Sequence, residues 1–389
     1  MRDIVILGST GSIGVQALEV VAANPELFRV IGLSAGSANH ALLAEQAKKF
    51  RVQLIGTSAS EFSAETPEGV SVICGPQAAS EIASMSAEIV LNGITGSIGL
   101  GPTLAALAAG NIVALANKES LVAGGDLVMK YGRDRIIPVD SEHSAIYQAL
   151  LSGKSTEVKK LILTASGGAF RDRKDLSNVT IEDALAHPTW SMGPVVTINS
   201  ATLVNKALEI IEAHYLFDIP YSQIEAVIHP QSVVHSMVEF VDGSTIAQAS
   251  PPNMKGPIAY ALGYPNRIAR STTPVDWSKS HTWEFRPINS ELFPAINLAH
   301  RVGEVGNGMP IVFNAANEIA VHAFLSKKLD FTSILRVVSK TVEILEVRGY
   351  SAARDLSDVS VIEQDTHQVA EQLVNQLVNQ LVNEEEISS

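Results

Sequence analysis

The stretch Ile4–Val21, IVILGSTGSIGVQALEVV, decides the fold. Four apolar residues run into Gly8, Gly11 and Gly14 at G-x-x-G-x-x-G spacing, and apolar residues then recur at helical intervals. Strand, glycine turn and helix in that order form a variant of the dinucleotide-binding fingerprint. Glycines let the backbone turn tightly against a pyrophosphate, and the amides that open the helix point at the anion. Thr10, Gly11, Ser12 and Ile13 would supply those amides; the competing reading is a glycine turn that serves packing alone. TGSIG, residues 10–14, returns at residues 95–99 inside EIVLNGITGSIGLGPTLAAL. The two copies lie 95 − 10 = 85 residues apart with dissimilar flanks, which argues against an internal repeat. Counting EIVLN as the fourth main strand puts it beside the first strand at the switch point of a doubly wound sheet. The second loop is therefore expected across the same crevice, with Gly93, Gly96 and Gly99 admitting backbone close to the nicotinamide half.

Outward from this stretch, further apolar runs follow as far as RIIPVD: FRVIGLSA, VQLIGT, VSVIC, EIVLN and NIVALA, mostly separated by helical or loop segments. Continuous Val/Ile-rich strands of this kind belong to a parallel sheet covered on both faces. Residues 1–140 are thus expected to be a Rossmann-like doubly wound domain. Residues 141–262 read as an α+β domain: AVIHPQSVVHSMVEFVDGSTIAQAS alternates apolar and polar residues around the Asp242-Gly243 turn signal, an antiparallel hairpin pattern. SATLVNKALEIIEAHYLF reads as one helix. Residues 263–292, rich in Pro, Arg, Ser and Thr, read as a linker, and residues 293–389 as a C-terminal helical bundle. The tail QLVNQLVNQLVN makes a drifting Leu/Val stripe on a helix that would close the bundle, and EEEISS reads as a frayed end.

Composition bounds the function. The chain has 389 residues, 46% hydrophobic and 18% charged, with 28 Lys+Arg against 41 Asp+Glu and a net charge of −13. That charge argues against a general nucleic-acid partner. Cys74 is the only cysteine, so there is no internal disulfide framework. No long uninterrupted apolar run offers a membrane span, and MRDIVILGS turns polar too soon for a signal peptide, so a cytoplasmic protein is expected.

The end of the second strand, LSAGSANHA, bears on the choice of dinucleotide. It has no Asp or Glu to take the ribose hydroxyls, which leaves room for a 2′-phosphate and points to NADP, yet it has no Arg or Lys either. In VDSEHSAI, Asp140 and Glu142 stand two apart after a strand, so in extended chain both would face one way and hold Mg²⁺ or Mn²⁺ between them. A helix cap before HSAIYQALL accounts for the same residues. On a helix, Asn205, Lys206 and Glu209 share a face, as part of a metabolite site or as an ordinary solvated Lys–Glu pair. Ser166-Gly167-Gly168 after the strand of LILTASGGAF would cradle an anion or merely turn. Lys118, in ANKESL, stands at a strand end where ligands of doubly wound sheets bind. HPTWSMGP, residues 187–194, resembles a loop that closes over a ligand, or a connection anchored by a buried Trp190. His229 and His235, placed in the hairpin strand, read as structural.

Taken together, GSTGSIG, ANKESLV, VDSEHSAI, TASGGAF, HPTWSMGP, INSATLVNKALE, HPQSVVHSMV and FNAANEIAV occur in this order in the 1-deoxy-D-xylulose 5-phosphate reductoisomerases, and the resemblance covers nearly the whole chain. It implies a homodimer that rearranges and reduces 1-deoxy-D-xylulose 5-phosphate to 2-C-methyl-D-erythritol 4-phosphate with NADPH and a divalent cation, in isoprenoid precursor synthesis. It implies catalytic and dimerisation roles for the α+β domain of residues 141–262, and metal ligands at Asp140, Glu142 and Glu209. Lys118, Ser141 and Glu142 match residues near the substrate backbone. Ser166, His187, Ser200, Asn205 and Lys206 match the phosphate end, and Trp190 and Met192 a flap over residues 186–194. Gly36, Asn117, Glu119 and Gly193 match cofactor positions. Where some relatives carry a lysine after the glycine matching Gly36, this chain has Ser37 and one residue more, and Asn39 takes over a cofactor contact. Two other readings are a plain NADP-dependent dehydrogenase and a nucleotide-sensing regulator; neither uses the three carboxylates.

Overall fold

The computed structural model describes residues 1–190 and 192–388, and side chains as far as Gln380. Contacts divide the chain into two compact units. One comprises Met1–Leu121, Leu127–Ser152 and Gln248–Trp277; the other comprises Val122–Asp126, Gly153–Ala247 and the residues from Ser278 on.

In the first unit, strands and helices alternate: β1 (Arg2–Leu7), α1 (Ser12–Ala23), β2 (Phe28–Ala35), α2 (His40–Phe50), β3 (Leu54–Thr57), β4 (Ser71–Cys74), α3 (Ala78–Ala83), β5 (Ile89–Asn92), α4 (Leu100–Ala108), β6 (Ile112–Leu115), α5 (Glu119–Met129), β7 (Ile136–Pro138) and α6 (Ser141–Leu150). The seven strands order as β4-β3-β2-β1-β5-β6-β7, and their pairings are parallel. Ile4, Ile6, Leu33, Ile55, Ile89 and Leu91 are sealed between the helical layers, which is why these strands read as unbroken apolar runs. The order reverses between β1 and β5, so the strands that precede the two TGSIG loops are neighbours, with Leu7 opposite Asn92. EIVLN is the fifth strand in chain order rather than the fourth, because the short edge strand β4 precedes it.

The boundary expected at 140 does not close this unit. Gln248–Trp277, assigned by sequence to the catalytic domain and the linker, belongs with the first sheet. The helix α10 (Lys255–Gly263) is buried along Pro257–Gly263 and joins the same core through Ile258, Ala259, Ala261 and Leu262. Lys255 pairs with Glu19 of α1 at 2.7 Å, and the Arg2 guanidinium donates to the Tyr264 carbonyl at 2.7 Å. Proline and arginine content is a surface signal and carries no record of which core a short helix fills.

The second unit holds β8 (Val158–Ala165), α7 (Ile181–Leu185), α8 (Pro194–Ala201), α9 (Val204–Phe217), β9 (Ile224–Ile228), β10 (Val234–Phe240), β11 (Thr245–Ala249) and β12 (Arg286–Pro287), with a mixed sheet ordered β11-β10-β8-β9-β12. The expected hairpin is β10 and β11 around Asp242-Gly243; β9 instead runs parallel to β8, so His229 lies beyond a strand end and outside the hairpin. The stretch read as one helix is two, because Thr202 and Leu203 break it and Leu203 takes a left-handed φ of 59°. Part of the expected linker, β12, pairs with β9. The chain ends in a bundle of α11 (Ala295–Val305), α12 (Met309–Leu325), α13 (Phe331–Arg348) and α14 (Leu356–Ser388). Helix α14 closes it through Val359, Ile362, Val369, Ala370 and Val374. The backbone of the expected frayed tail is helical to Ser388, and Ser389 lies outside the described residues. No helix among the described residues is long and apolar enough to cross a membrane.

Candidate active site

The first TGSIG loop is shaped by backbone contact. Gly8 has φ +73°, and a Cβ there would stand 2.8 Å from the Gly93 carbonyl oxygen; a Cβ on Gly14 would stand 2.4 Å from the Gly8 oxygen. Only glycine fits at either place. Gly11 caps α1 with extended backbone, so no N-cap side chain bonds the opening amides of the helix, the feature an anion site at a helix start requires. Ser9 is buried and fixes the turn by bonding Gln46 from both its hydroxyl (2.8 Å) and its carbonyl (2.9 Å). Thr10 and Ile13 are half-buried, Gly11 and Ser12 exposed.

The second TGSIG loop lies directly against the first, since the site of a Gly93 Cβ is 3.4 Å from the Ile13 side chain. Two asparagines that end strands hold its form. Asn92 donates to the Gly99 carbonyl (2.9 Å) and Thr103 hydroxyl (2.8 Å), and accepts from the Ile94 amide (3.1 Å). Asn117 donates to the carbonyls of Ile94 (2.6 Å) and Gly96 (2.9 Å) and lies 3.0 Å from Glu119. Asn117, matched by resemblance to a cofactor position, thus spends its side chain on the loop. Burial pushes the Glu119 carboxyl above its usual range, with Lys118 opposing. Asn92 was not singled out by sequence; a buried polar residue closing an apolar strand was the available signal.

Gly36, Ser37 and Asn39 are exposed beyond β2. Asn39 caps α2, its Oδ1 accepting from the Leu42 amide at 3.1 Å, which leaves its amide nitrogen as a donor for a ligand.

Asp140 and Glu142 do not continue an extended chain. Asp140 is the N-cap of α6, with Oδ1 accepting from the Glu142 amide (3.1 Å), and Glu142 lies in the first helical turn beside the Ser141 hydroxyl. The cap reading is therefore realised, while the other carboxylate oxygen, Asp140 Oδ2, pairs with Lys118 Nζ at 2.9 Å. His143, fully buried one turn on, sits 3.1 Å from Asp140 Oδ1 and orients it. The i,i+3 spacing from Asp140 was the signal that sequence reading left unused.

The second unit gathers its residues from separate segments. Gly167 (φ +83°) and Gly168 (φ +64°) turn the chain after β8, and a Gly168 Cβ would stand 2.5 Å from the Ser200 carbonyl oxygen. That approach brings Ser166 and Ser200 to one imidazole. His187 Nε2 is 3.0 Å from Ser166 Oγ and 3.1 Å from Ser200 Oγ, while Nδ1 accepts from the amides of Thr189 (3.1 Å) and Trp190 (2.8 Å). The hydrogen-bond pattern places the proton on Nε2. Burial pushes the imidazole below its ordinary range, and nearby Arg171 adds to this. His187 so ties the flap backbone to the two hydroxyls. Trp190 is half-buried with its ring 6.5 Å from that of His235; Met192 is half-buried and Gly193 exposed. On α9 the expected face is real: Asn205 donates to Glu209 Oε1 at 2.5 Å and Lys206 pairs with the other oxygen. Lys206 and Glu209 are 3% and 1% exposed, so this is a buried ion pair and not a solvated one. His229 is structural: Nδ1 donates to the Glu284 carbonyl (2.8 Å) and Nε2 accepts from the Val233 (3.2 Å) and Val234 (3.1 Å) amides.

A dinucleotide-binding oxidoreductase is the class that the glycine turn and strand order of the first unit define. Models of three family domains match successive parts of the chain: 1-deoxy-D-xylulose 5-phosphate reductoisomerase at residues 4–125, its C-terminal domain at 136–217, and the DXP reductoisomerase C-terminal domain at 249–369. The chain belongs to the 1-deoxy-D-xylulose 5-phosphate reductoisomerase family. It is 53% identical over 356 residues to the reductoisomerase of Streptomyces coelicolor, covering 88% of this chain and 85% of that one. It is 57% identical over 351 residues to that of Kitasatospora griseola, covering 87% and 91%. Its fold is similar to a DOX-P reductoisomerase in complex with NADPH, fosmidomycin and magnesium, with a TM-score of 0.89 and 37% identity over 97% of this chain and 99% of the other. The Zymomonas mobilis enzyme in complex with NADPH gives 0.87 and 38%, over 96% and 99%.

Proposed function

We infer that this chain converts 1-deoxy-D-xylulose 5-phosphate to 2-C-methyl-D-erythritol 4-phosphate, with NADPH and a divalent cation, and acts as a cytoplasmic homodimer. The observation that carries the reading is the pairing of family membership along the chain with the hydroxyl–imidazole cluster of Ser166, His187 and Ser200, of a chemistry suited to a phosphate. Thr10, Gly11, Ser12 and Ile13 take the pyrophosphate on backbone amides, and the second TGSIG loop lines the nicotinamide half. Gly36, Asn39, Asn117, Glu119 and Gly193 complete the cofactor contacts, Asn117 and Glu119 by holding that loop.

Asp140, Glu142 and Glu209 offer hard carboxylate oxygens of the kind Mg²⁺ or Mn²⁺ takes. Bound there, the cation supplies Lewis acidity for the negative charge that develops on substrate oxygens as the carbon skeleton rearranges. NADPH supplies the hydride that reduces the aldehyde so formed. Lys118, Ser141 and Glu142 orient the substrate backbone. Ser166, Ser200, Asn205 and Lys206 hold the phosphate end, one fixed positive charge with neutral donors around a dianion. His187 holds Thr189 and Trp190 in place, so that Trp190 and Met192 exclude water from the substrate.

The test is a single mixture: protein, NADPH, Mg²⁺ or Mn²⁺ and 1-deoxy-D-xylulose 5-phosphate, followed by NADPH absorbance. Oxidation that a chelator stops is expected. No oxidation with either metal defeats the reading, and oxidation indifferent to the chelator returns the protein to the plain dehydrogenases.

A further inference from the structure

The stretch FNAANEIAV, residues 313–321 of α12, has no part in the chemistry above, yet it reaches the phosphate cradle. Asn317 is 1% exposed, and its Nδ2 donates to Asn199 Oδ1 at 2.9 Å across 118 residues of chain. Its own Oδ1 is buried and accepts no hydrogen bond among the described residues. A buried acceptor left without a donor is destabilising, because its desolvation goes uncompensated. Two apolar side chains of similar size would avoid that cost, so net stability does not account for this pair. Direction does: a polar contact specifies one geometry where an apolar one tolerates several.

What it directs is the turn between α8 and α9. Asn199 immediately precedes Ser200, and Thr202 and Leu203 follow before Asn205 and Lys206. Leu203 lies in the left-handed region, which its Cβ disfavours, so the turn is not held by propensity. Thr202 holds it locally: the hydroxyl donates to the Ile198 carbonyl (3.0 Å), lies 3.2 Å from the Asn199 carbonyl, and accepts from the Val204 amide at 3.4 Å. Those bonds close the turn on itself. The Asn199 side chain ties it to α12, whose flanks are sealed in the bundle by Phe313, Ala316, Ala320 and Val321.

We propose that Asn317 is a positioning residue for the substrate's phosphate: through Asn199 it sets the α8–α9 turn, and thereby the spacing of Ser200 from Asn205 and Lys206. This rests on the reading of that cradle as the phosphate site. The experiment uses the full chain with NADPH and Mg²⁺, and compares Asn317→Leu, Asn199→Ala and the Asn199→Leu/Asn317→Leu double variant. KM and kcat for 1-deoxy-D-xylulose 5-phosphate, inhibition by inorganic phosphate, NADPH affinity and Tm are measured. Each single variant should raise KM roughly tenfold and weaken phosphate inhibition in parallel, with kcat and NADPH affinity close to wild type. In the double variant Tm should recover while KM stays high, which a merely structural role does not produce. Asn199→Ala breaks the same bond from the other end, should Asn317→Leu fail to fold. Wild-type KM and phosphate inhibition in either folded single variant overturn the proposal when Ser200→Ala and Lys206→Gln weaken both. If those two controls also leave phosphate inhibition unchanged, the phosphate cradle itself falls, and the proposal with it.

Discussion

The cradles proposed for anions in the two units are built by opposite means. In the first, the cradle is backbone: glycines at 8, 11 and 14 and the uncapped start of α1, all within one short stretch of chain and without a charged side chain. In the second it is side chain: Ser166, His187 and Ser200 come from three segments and converge through a loop that only glycine can turn, at Gly168, and Lys206 is buried on α9 beside Glu209. A backbone cradle needs no charge because the amides and the helix dipole supply it, and it suits a cofactor that must leave each cycle. A side-chain cradle adds a fixed charge and selects a dianion, but every member must be placed by packing elsewhere.

The contrast can be broken by substitution. The largest effect belongs to Glu209→Gln, which should reduce turnover by roughly three orders of magnitude while NADPH affinity stays near wild type, since a lost Lewis acid is worth several kcal/mol. Normal turnover removes Glu209 from the metal ligands, and lost NADPH binding means the two cradles are not separable. Gly8→Ala strikes the other side. It forces alanine into a left-handed backbone against the Gly93 carbonyl, and NADPH affinity measured by titration should fall about tenfold to a hundredfold with phosphate inhibition unchanged. Trp190→Ala should raise substrate KM by about tenfold with little loss of Tm, as expected of a half-buried closing residue; a collapse in Tm makes Trp190 an anchor instead.

The smallest expected effect is one of pH. Burial holds His187 below its ordinary range, so as pH falls the unfolded chain takes the proton first. The contribution of the neutral ring is complete above about pH 6.5 and is lost as pH falls below that value. Protonation at Nδ1 also turns away the Thr189 and Trp190 amides. Substrate KM measured from about pH 8 down to about pH 5.5 should rise at the acid end more steeply in the wild type than in His187→Asn, whose Oδ1 accepts the same amides without titrating. Identical profiles detach His187 from the flap.

Much of the first unit was legible because its signals are local. A glycine register, an apolar strand and a helical period are all written within about twenty consecutive residues, and TGSIG recurs after the strand that neighbours β1. Asn205, Lys206 and Glu209 were legible for the same reason, as helix neighbours three and four apart. Asp140 and Glu142 were found as a pair but placed on extended chain, because capping and chelation call for the same residue types. The break at Leu203 escaped notice, since the sequence there has no glycine or proline to mark it.

By itself, then, the order of residues determined the doubly wound unit, the helical bundle and the family, each a matter of periodicity or of short motifs in sequence. Tertiary structure alone decided that Gln248–Trp277 returns to the first core, that Asn92 and Asn117 brace the second TGSIG loop, that His143 orients Asp140, and that Asn317 reaches Asn199. The physical reason is range. Backbone propensity and amphipathic period act over a few residues and leave a local imprint. A hydrogen bond between buried side chains 118 residues apart leaves none until packing brings its two ends together.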